Sequence, residues 1–264
     1  MLLSAKPYLQ SVTMLREKVA DFNVFPFCLP IVRNLERIDF HADVTFFVGD
    51  NGSGKSTLIE ALAILMGFNP EGGTKNFKFS TRASHSPLHD YLRISKSYKM
   101  PQDGFFLRAE SFYNVATNID EMDEQPSPGR PIKDSYGGKS LHKQSHGESF
   151  WALMTHRFGG KGIYILDEPE AALSPTRQLA MLSRMDELVK KESQFIVATH
   201  SPILLSYPRA RIYEIREGYL CDALYEETEH YRVMRHFMSD YRKQLGILLE
   251  EQDSRMDEFK EPVA

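Results

Sequence analysis

The chain has 264 residues, of which 42% are hydrophobic and 26% charged, proportions typical of a folded globule with a sizeable core. Its formal net charge of −4 excludes a uniformly basic surface, so any contact with nucleic acid must rest on a local patch. The two cysteines form no metal-ligand spacing, and no apolar run of about 18 residues occurs, so we expect a cytoplasmic protein that does not cross a membrane.

The first elements, within residues 9–48, have the pattern of a small β layer. LQSVTML and the stretches around IVRNL and ERIDF alternate like strands, whereas FPFCLP is interrupted by prolines and indicates a loop. Phe25 and Phe27 in that loop are candidates for stacking on an adenine ring, although such residues more often belong to a core. The run VTFFV that follows is continuously apolar, as in a central parallel strand.

A glycine-rich loop follows this strand and precedes a helix-period apolar pattern. Gly49, Gly54, Lys55 and Ser56 fit the spacing G-x-x-x-x-G-K-[ST], which predicts a phosphate-binding loop in this context. Backbone N–H groups would surround phosphate oxygens, Lys55 would reach the β- and γ-phosphates, and the Ser56 hydroxyl would ligate Mg²⁺. The predicted loop residues are Gly49, Asp50, Asn51, Gly52, Ser53, Gly54, Lys55, Ser56 and Thr57.

The middle of the chain, residues 69–143, is less regular. Residues 69–86 are polar and carry Lys75, Lys78 and Arg82, which favours a solvated loop over a nucleic-acid contact. YLRISKSYKM and GFFLRAESFY predict a β pair that turns at PQDG. Residues 114–143 are rich in Pro, Gly, Ser and acidic residues, which predicts a loop with little structure of its own.

Two helix starts and a closing helix are indicated in the second half. Ser145 and Glu148 have the spacing of a capping box, and Ser174 precedes a Pro at the start of another helical pattern. RIYEIREG and YLCDALYEE predict a hairpin, and one helix is expected from about Glu229 to Glu250.

Polar residues end two buried strands in this half. GIYIL leads into Asp167 and Glu168, and QFIVAT leads into His200. We expect the GIYIL strand in the sheet centre beside the phosphate-loop strand, and the QFIVAT strand paired with the GIYIL strand. In a P-loop ATPase, Asp167 would hold the Mg²⁺ shell, Glu168 would orient the attacking water, and His200 would reach the γ-phosphate.

Four segments in this order resemble the motifs of ABC-type ATPases: GDNGSGKST (Walker A), SHGES (signature), ILDEPEAALSP (Walker B and D-loop) and ATHSP (H-loop). The resemblance covers roughly Val44 to Pro202. DEPEAALSP is more similar to the stand-alone ATPases grouped with SMC, RecF and OLD-type proteins than to transporter subunits, which typically have DEPTSALD. YEETEHYRVMRHFM resembles a compact family of predicted bacterial ATPases. Residues 58–144 contain no heptads, so we expect no coiled-coil arms.

The resemblance implies an α/β P-loop NTPase fold of the ABC-ATPase type. Its central sheet would be mainly parallel and flanked by helices, with an N-terminal antiparallel β layer and a helical signature lobe. Residues 1–264 would form a single domain. Lobe I would comprise about residues 1–68 and 160–228, lobe II about 69–159, and the C-terminal helix about 229–250.

The resemblance also implies a Mg²⁺-dependent ATPase that binds two ATP molecules between two head-to-tail copies. Ser145 and Gly147 of one copy would complete the site around the γ-phosphate bound by Lys55 of the other, and the D-loop, residues 171–174, would cross the interface. His146 stands where many relatives have a glycine. The Mg²⁺-sensing glutamine has no obvious equivalent, and Glu110 or, less well, Gln102 is the candidate.

Three functions are compatible with this pattern. The first is an ATP-dependent switch acting on nucleic acid or on a nucleic-acid-processing partner, with Lys75, Lys78, Arg82, Arg93 and Lys96 as basic residues for that contact. The second is the cytoplasmic ATP-binding subunit of an ABC transporter. The third, a binding module without turnover, is disfavoured by the intact Lys55, Asp167, Glu168 and His200.

Overall fold

The computed structural model describes residues 6–75, 85–124 and 130–257. The chain divides into two compact units, Met1–Ala223 and Leu224–Ala264. The described strands are β1 (Leu9–Met14), β2 (Arg37–Asp39), β3 (Val44–Val48), β4 (Leu92–Lys96), β5 (Asp103–Arg108), β6 (Gly162–Asp167), β7 (Gln194–Ala198), β8 (Ala210–Arg216) and β9 (Tyr219–Ala223). The described helices are α1 (Pro30–Arg33), α2 (Lys55–Leu65), α3 (Phe112–Glu124), α4 (His146–Ala152), α5 (Pro175–Lys190), α6 (Pro202–Leu205), α7 (Glu229–Ser239) and α8 (Tyr241–Asp257).

A six-stranded sheet in the order β5-β6-β7-β3-β8-β9 forms the centre of the first unit. Among the described strands of this sheet, β8 and β9 alone pair antiparallel, which confirms the predicted α/β fold with a mainly parallel sheet. Every residue of β3, β6 and β7 is buried, as the continuous apolar runs predicted.

The predicted order of the central strands is partly wrong. β7 pairs with β6 as expected, but β7 also pairs with β3 and therefore separates the Asp167 strand from the phosphate-loop strand. An apolar run shows that a strand is buried on both faces, but it carries no information about which strand lies beside it.

The predicted N-terminal antiparallel layer is confirmed as a three-stranded sheet in the order β2-β1-β4. Gln194 of β7 joins this layer to the central sheet. Its side-chain amide accepts a hydrogen bond from the Leu9 N–H (3.0 Å) and donates to the carbonyl oxygens of Leu9 (2.9 Å) and His41 (3.0 Å). Gln194 is fully buried, so the contact between the two sheets includes a satisfied polar group.

Two strand predictions in this region are wrong. The IVRNL stretch lies in and just after helix α1, which has Pro30 at its first position. The expected pair between residues 91 and 113 does not form, because β4 joins the antiparallel layer and β5 joins the parallel sheet. The PQDG turn links two strands in either case, so turn composition alone could not distinguish a hairpin from a crossover between sheets.

Two helical segments also differ from the prediction. The expected loop of residues 114–143 contains most of α3, which buries Phe112, Val115, Ala116 and Ile119 along one face. These positions follow helical spacing, but polar and acidic residues dominate the segment and obscured it. In the second unit, the expected single helix is divided into α7 and α8 at Asp240, whose φ of −155° and ψ of 70° are not helical.

The second unit begins with a capped helix. The Thr228 side chain accepts a hydrogen bond from the Tyr231 N–H at the start of α7.

Within residues 6–75, 85–124 and 130–257, no helix combines the length and apolar composition that a bilayer crossing requires.

Candidate nucleotide-binding site

The glycine-rich loop connects β3 to α2 at the carboxyl end of the parallel sheet. Gly54 has a φ of +97°, and an added Cβ at this position would lie 2.6 Å from Cγ2 of Ile31. Any other residue would therefore meet both an unfavourable left-handed backbone and a clash with a core side chain. The loop is thus packed tightly on the α1 segment.

Lys55, the first residue of α2, points back into this loop. Its ammonium donates hydrogen bonds to the carbonyl oxygens of Gly49 (2.7 Å) and Asp50 (2.9 Å), and the residue is buried. Burial lowers the pKa of Lys55, opposed by the nearby carboxylates, of which Glu168 and Asp167 have the largest effect. The ammonium is therefore held at the loop by the protein's own groups.

A surface depression adjoins the loop, and one aromatic residue faces it. The depression is lined by Phe25, Leu29, Asn51, Gly52, Gly54, Lys55, Ser56, Thr57 and Glu168. Phe25 is 57% exposed, whereas Phe27 is buried and packs edge-to-face on Tyr91 with ring centroids 4.6 Å apart. Phe25 is therefore the available aromatic surface, and Phe27 belongs to the core. In the described part of the chain, the buried Ser53 hydroxyl has no hydrogen-bond partner, which fits an acceptor oxygen supplied by a ligand.

Asp167 and Ser56 come together although they belong to different elements. The Ser56 hydroxyl donates to the Asp167 carboxylate at 3.2 Å. Burial raises the pKa of Asp167 to about 6, although the Ser56 hydrogen bond and the Arg108 charge oppose that rise. A hydroxyl and a carboxylate are ligands that Mg²⁺ accepts, and a cation would offset the cost of the buried charge. The two residues therefore fit a Mg²⁺ ion that takes its other ligands from phosphate and water.

Glu168 adopts a backbone conformation that is unusual for a residue with a side chain. Its φ of 51° and ψ of 52° lie in the left-handed region, and its N–H donates to the Ala198 carbonyl of β7 at 3.0 Å. The carboxylate is partly exposed and lies 3.7 Å from Nε2 of His200. Such strain is concentrated at functional positions, and here it accompanies a side chain that lines the depression.

The sequence interpretation did not identify Glu170 as part of this site. Its carboxylate accepts a hydrogen bond from the His200 N–H at 2.5 Å, and burial raises its pKa. Glu170 thereby ties the end of β7 to the segment after β6. The acidic residue was visible in DEPEAALSP, but its partner is a backbone group 30 residues away.

An ion pair beside Asp167 was also missed. Arg108 is in register with Asp167 across β5 and β6, and its guanidinium donates to the buried Glu60 carboxylate at 2.5 Å. The two residues are 48 positions apart, and neither belongs to a local motif.

The two candidates for the Mg²⁺-sensing residue lie at opposite ends of β5. Glu110 follows the carboxyl end of the strand, and its carboxylate lies 3.6 Å from the Arg108 guanidinium. Gln102 precedes the amino end and donates its N–H to the Lys161 carbonyl. Of the two, only Glu110 is at the sheet edge that carries Asp167.

The signature turn forms the predicted capping box at the start of α4. The Ser145 hydroxyl and N–H donate to the Glu148 carboxylate at 2.7 and 2.9 Å, and the Glu148 N–H donates to the Ser145 hydroxyl at 3.4 Å. Among the described residues that line the depression, neither Ser145 nor Gly147 occurs.

Two protein-family models match separate parts of the chain. The model described as "AAA domain" matches residues 21–116, which include the phosphate-binding loop. The model described as "AAA domain, putative AbiEii toxin, Type IV TA system" matches residues 140–206, which include Asp167, Glu168 and His200.

Curated proteins with weaker similarity are transporter components. The chain is 24% identical over 243 residues to the cobalt import ATP-binding protein CbiO of Salmonella typhimurium, covering 83% of this chain and 88% of that protein. It is 25% identical over 190 residues to the ribose import ATP-binding protein RbsA of Bacillus cereus, covering 65% of this chain but only 37% of RbsA.

The solved structures that match the chain include an ABC-transporter cassette and an SMC head domain. The ADP conformation of MJ1267, an ATP-binding cassette of an ABC transporter, covers 92% of this chain and 98% of its own at 20% identity, with a TM-score of 0.46. The SMC head domain from Thermotoga maritima covers 81% and 98% at 18% identity, with a TM-score of 0.41.

The glycine-rich loop and the strand-end acids lie within the two segments that AAA-domain models match, and together they indicate an ATP-binding domain of the P-loop type. The DEPEAALSP segment, with its strand-end acids, lies within the residues that the second of these models matches.

Proposed function

We propose that this protein hydrolyses ATP in a head-to-tail dimer and acts on nucleic acid or on a nucleic-acid-processing partner. The observation that carries the proposal is the convergence at one sheet edge of Lys55, the Ser56–Asp167 pair and the strained Glu168. These are the groups that an ATPase of this fold needs for the phosphates, the metal and the attacking water.

Each side chain would have a separate task in the reaction. Lys55 and the loop N–H groups would bind the β- and γ-phosphates, and Ser56 and Asp167 would hold Mg²⁺, which offsets charge on the transferred phosphoryl group. Glu168 would orient a water molecule and accept its proton as the water attacks the γ-phosphorus and the bond to the departing ADP oxygen breaks. His200, whose Nε2 is 3.7 Å from Glu168, would contact the γ-phosphate.

The dimer would complete each site with the signature turn of the other copy. We expect Glu168→Gln to bind Mg-ATP and to accumulate as a dimer, measured by light scattering after size exclusion. Lys55→Ala is the matched control and should stay monomeric, because it lacks the ammonium that binds the β- and γ-phosphates. A Glu168→Gln protein that stays monomeric in saturating Mg-ATP would refute the two-copy site.

Two neighbouring lysines support the proposal that the protein contacts nucleic acid. Lys75 lies near Lys96, whose charge adds to burial in lowering the pKa of Lys75. Arg93 of β4 is exposed close by in sequence, whereas Lys78 and Arg82 lie outside the described residues. Two ammonium groups held close together are stabilised when they face phosphates.

The nucleic-acid hypothesis has a direct test. ATP turnover should rise several-fold with added DNA, and the stimulation should fall as salt is increased. Lys75→Glu with Lys96→Glu should abolish the stimulation and leave basal turnover intact. Lys191→Glu reverses an exposed charge before β7 and serves as the control. An ATP turnover rate that does not change when DNA is added at low salt would contradict this part of the proposal.

A second candidate is the ATP-binding subunit of an ABC transporter, which the similarity to the import proteins CbiO and RbsA favours. In that case the ATP-trapped Glu168→Gln protein should co-purify with an integral membrane protein rather than with nucleic acid. Pull-down of this variant from detergent-solubilised cells, followed by identification of bound protein and nucleic acid, separates the two functions.

A further inference from the structure

An arginine lies against the signature turn. Arg177 is in the first turn of α5, just after the D-loop, residues 171–174. A Cβ added to Gly147 would lie 2.6 Å from Nη1 of Arg177 and 2.9 Å from the Ala172 carbonyl oxygen. The space that a side chain at position 147 would need is therefore occupied by the guanidinium and the D-loop backbone. The turn, the D-loop and Arg177 form one packed group.

Across the described residues, no hydrogen bond or ion pair engages the Arg177 guanidinium, and the residue is half-buried. The pKa of Glu148 is lowered, chiefly by its hydrogen bonds from Ser145 and to a lesser extent by the charges of Arg177 and Lys139. A cation is thus held near the Ser145 hydroxyl without a hydrogen-bonded anion of its own.

The turn already binds one carboxylate. The Glu148 carboxylate accepts hydrogen bonds from both the hydroxyl and the N–H of Ser145, the same two donors that a phosphate oxygen would use. Arginine suits such an anion, because its guanidinium presents several N–H donors in a plane that matches phosphate oxygens.

We propose, on the basis of the head-to-tail dimer proposed above, that Arg177 of one copy contacts the γ-phosphate held by Lys55 of the other. Ser145 and Arg177 then bind the same phosphoryl group from the same packed turn. In the separate copy, Glu148 occupies the Ser145 donors, and the phosphate replaces it when the dimer closes. Arg177 is therefore a catalytic residue supplied in trans.

Loss of Arg177 should lower turnover without unfolding the protein. We expect Arg177→Ala to reduce kcat by about 10²-fold or more, the scale for removing one charge-stabilising donor. Arg177→Lys should restore part of this loss. Lys139→Ala is the matched control, because it removes the other cation near Glu148 and should leave kcat unchanged. Thermal melting of the nucleotide-free variants checks that each is folded.

Mixing two inactive variants tests whether Arg177 acts across the dimer. In a mixed dimer of Lys55→Ala with Arg177→Ala, one site combines an intact loop with an intact Arg177, so activity should rise well above the sum of the separate variants. An Arg177 that acts only within its own copy predicts no rise, and that result would overturn the inference.

A parallel mixture separates this inference from the proposed dimer. Lys55→Ala mixed with Ser145→Ala tests the two-copy site without Arg177. If this mixture recovers activity and the Arg177→Ala mixture does not, Arg177 has no role in trans while the dimer stands. If neither mixture recovers activity, the dimer model and the inference both fail. Full turnover by Arg177→Ala alone would also overturn the inference.

Discussion

The left-handed backbone at Glu168 gives a prediction that links stability to catalysis. With a φ of 51°, the left-handed conformation of this residue destabilises the folded state by about 1–2 kcal/mol relative to an ordinary backbone conformation. Glycine removes that cost but adds about 0.5–1 kcal/mol of flexibility to the unfolded chain. Glu168→Gly should therefore be more stable than Glu168→Ala by about 0.5–1 kcal/mol.

The comparison of Gly with Ala isolates the backbone, because both variants lack the carboxylate. Urea unfolding of the nucleotide-free proteins measures the difference, which corresponds to roughly 1–4 °C in Tm for a unit of this size. Both variants should lose about 10²- to 10⁴-fold in kcat, because neither can accept the proton from water. An alanine variant as stable as the glycine variant would show that the position is not strained. Normal turnover by either would remove Glu168 from the reaction.

Three further predictions concern single side chains. Lys55→Ala should weaken ATP binding by about 10- to 100-fold, because a charge-assisted contact to phosphate is lost; isothermal titration measures this, and unchanged affinity would contradict the role of the loop. Gln194→Leu should lower the free energy of unfolding by about 2–4 kcal/mol, because it leaves buried backbone groups at Leu9 and His41 unpaired. Urea unfolding measures this change, and a decrease below about 1 kcal/mol would contradict the prediction. Burial would raise the pKa of Asp103, but hydrogen bonds from Gly159 and Tyr164 and the Arg157 charge lower it overall. Its stabilisation is therefore complete above about pH 4 and is lost as pH falls through the depressed folded-state pKa, so the stability gap to Asp103→Asn should be constant from about pH 5 to 8 and shrink toward pH 3. A gap that instead widens toward pH 3 would show that the sign is wrong.

The parts of this protein that could be predicted from the sequence are those set by local chemistry. VTFFV, GIYIL and QFIVA are continuously apolar because both faces of each strand are buried, and the glycine spacing before Lys55 follows from backbone demands within six residues. The Ser145 capping box likewise involves residues only three apart. These features depend on residues close together in the sequence, so they can be predicted without knowledge of the tertiary structure.

Errors arose where an element depends on a distant partner. β4 and β5 were correctly expected as strands, but their assignment to different sheets depends on β1 and β6, which no turn residue between them encodes. α3 was missed because its four buried apolar positions are outnumbered by polar ones that face solvent.

By itself, the sequence determined the central strands, the position of the glycine-rich loop and the identity of the acids and the histidine at the strand ends. Only the tertiary structure decided that β7 separates β3 from β6, that Glu168 is left-handed, and that Arg177 fills the space beside Gly147. Local sequence patterns indicate whether a residue is buried and whether it lies in a turn. Strand order, strain and close approach are properties of packing between segments far apart in the chain, and they become defined only when the whole core forms.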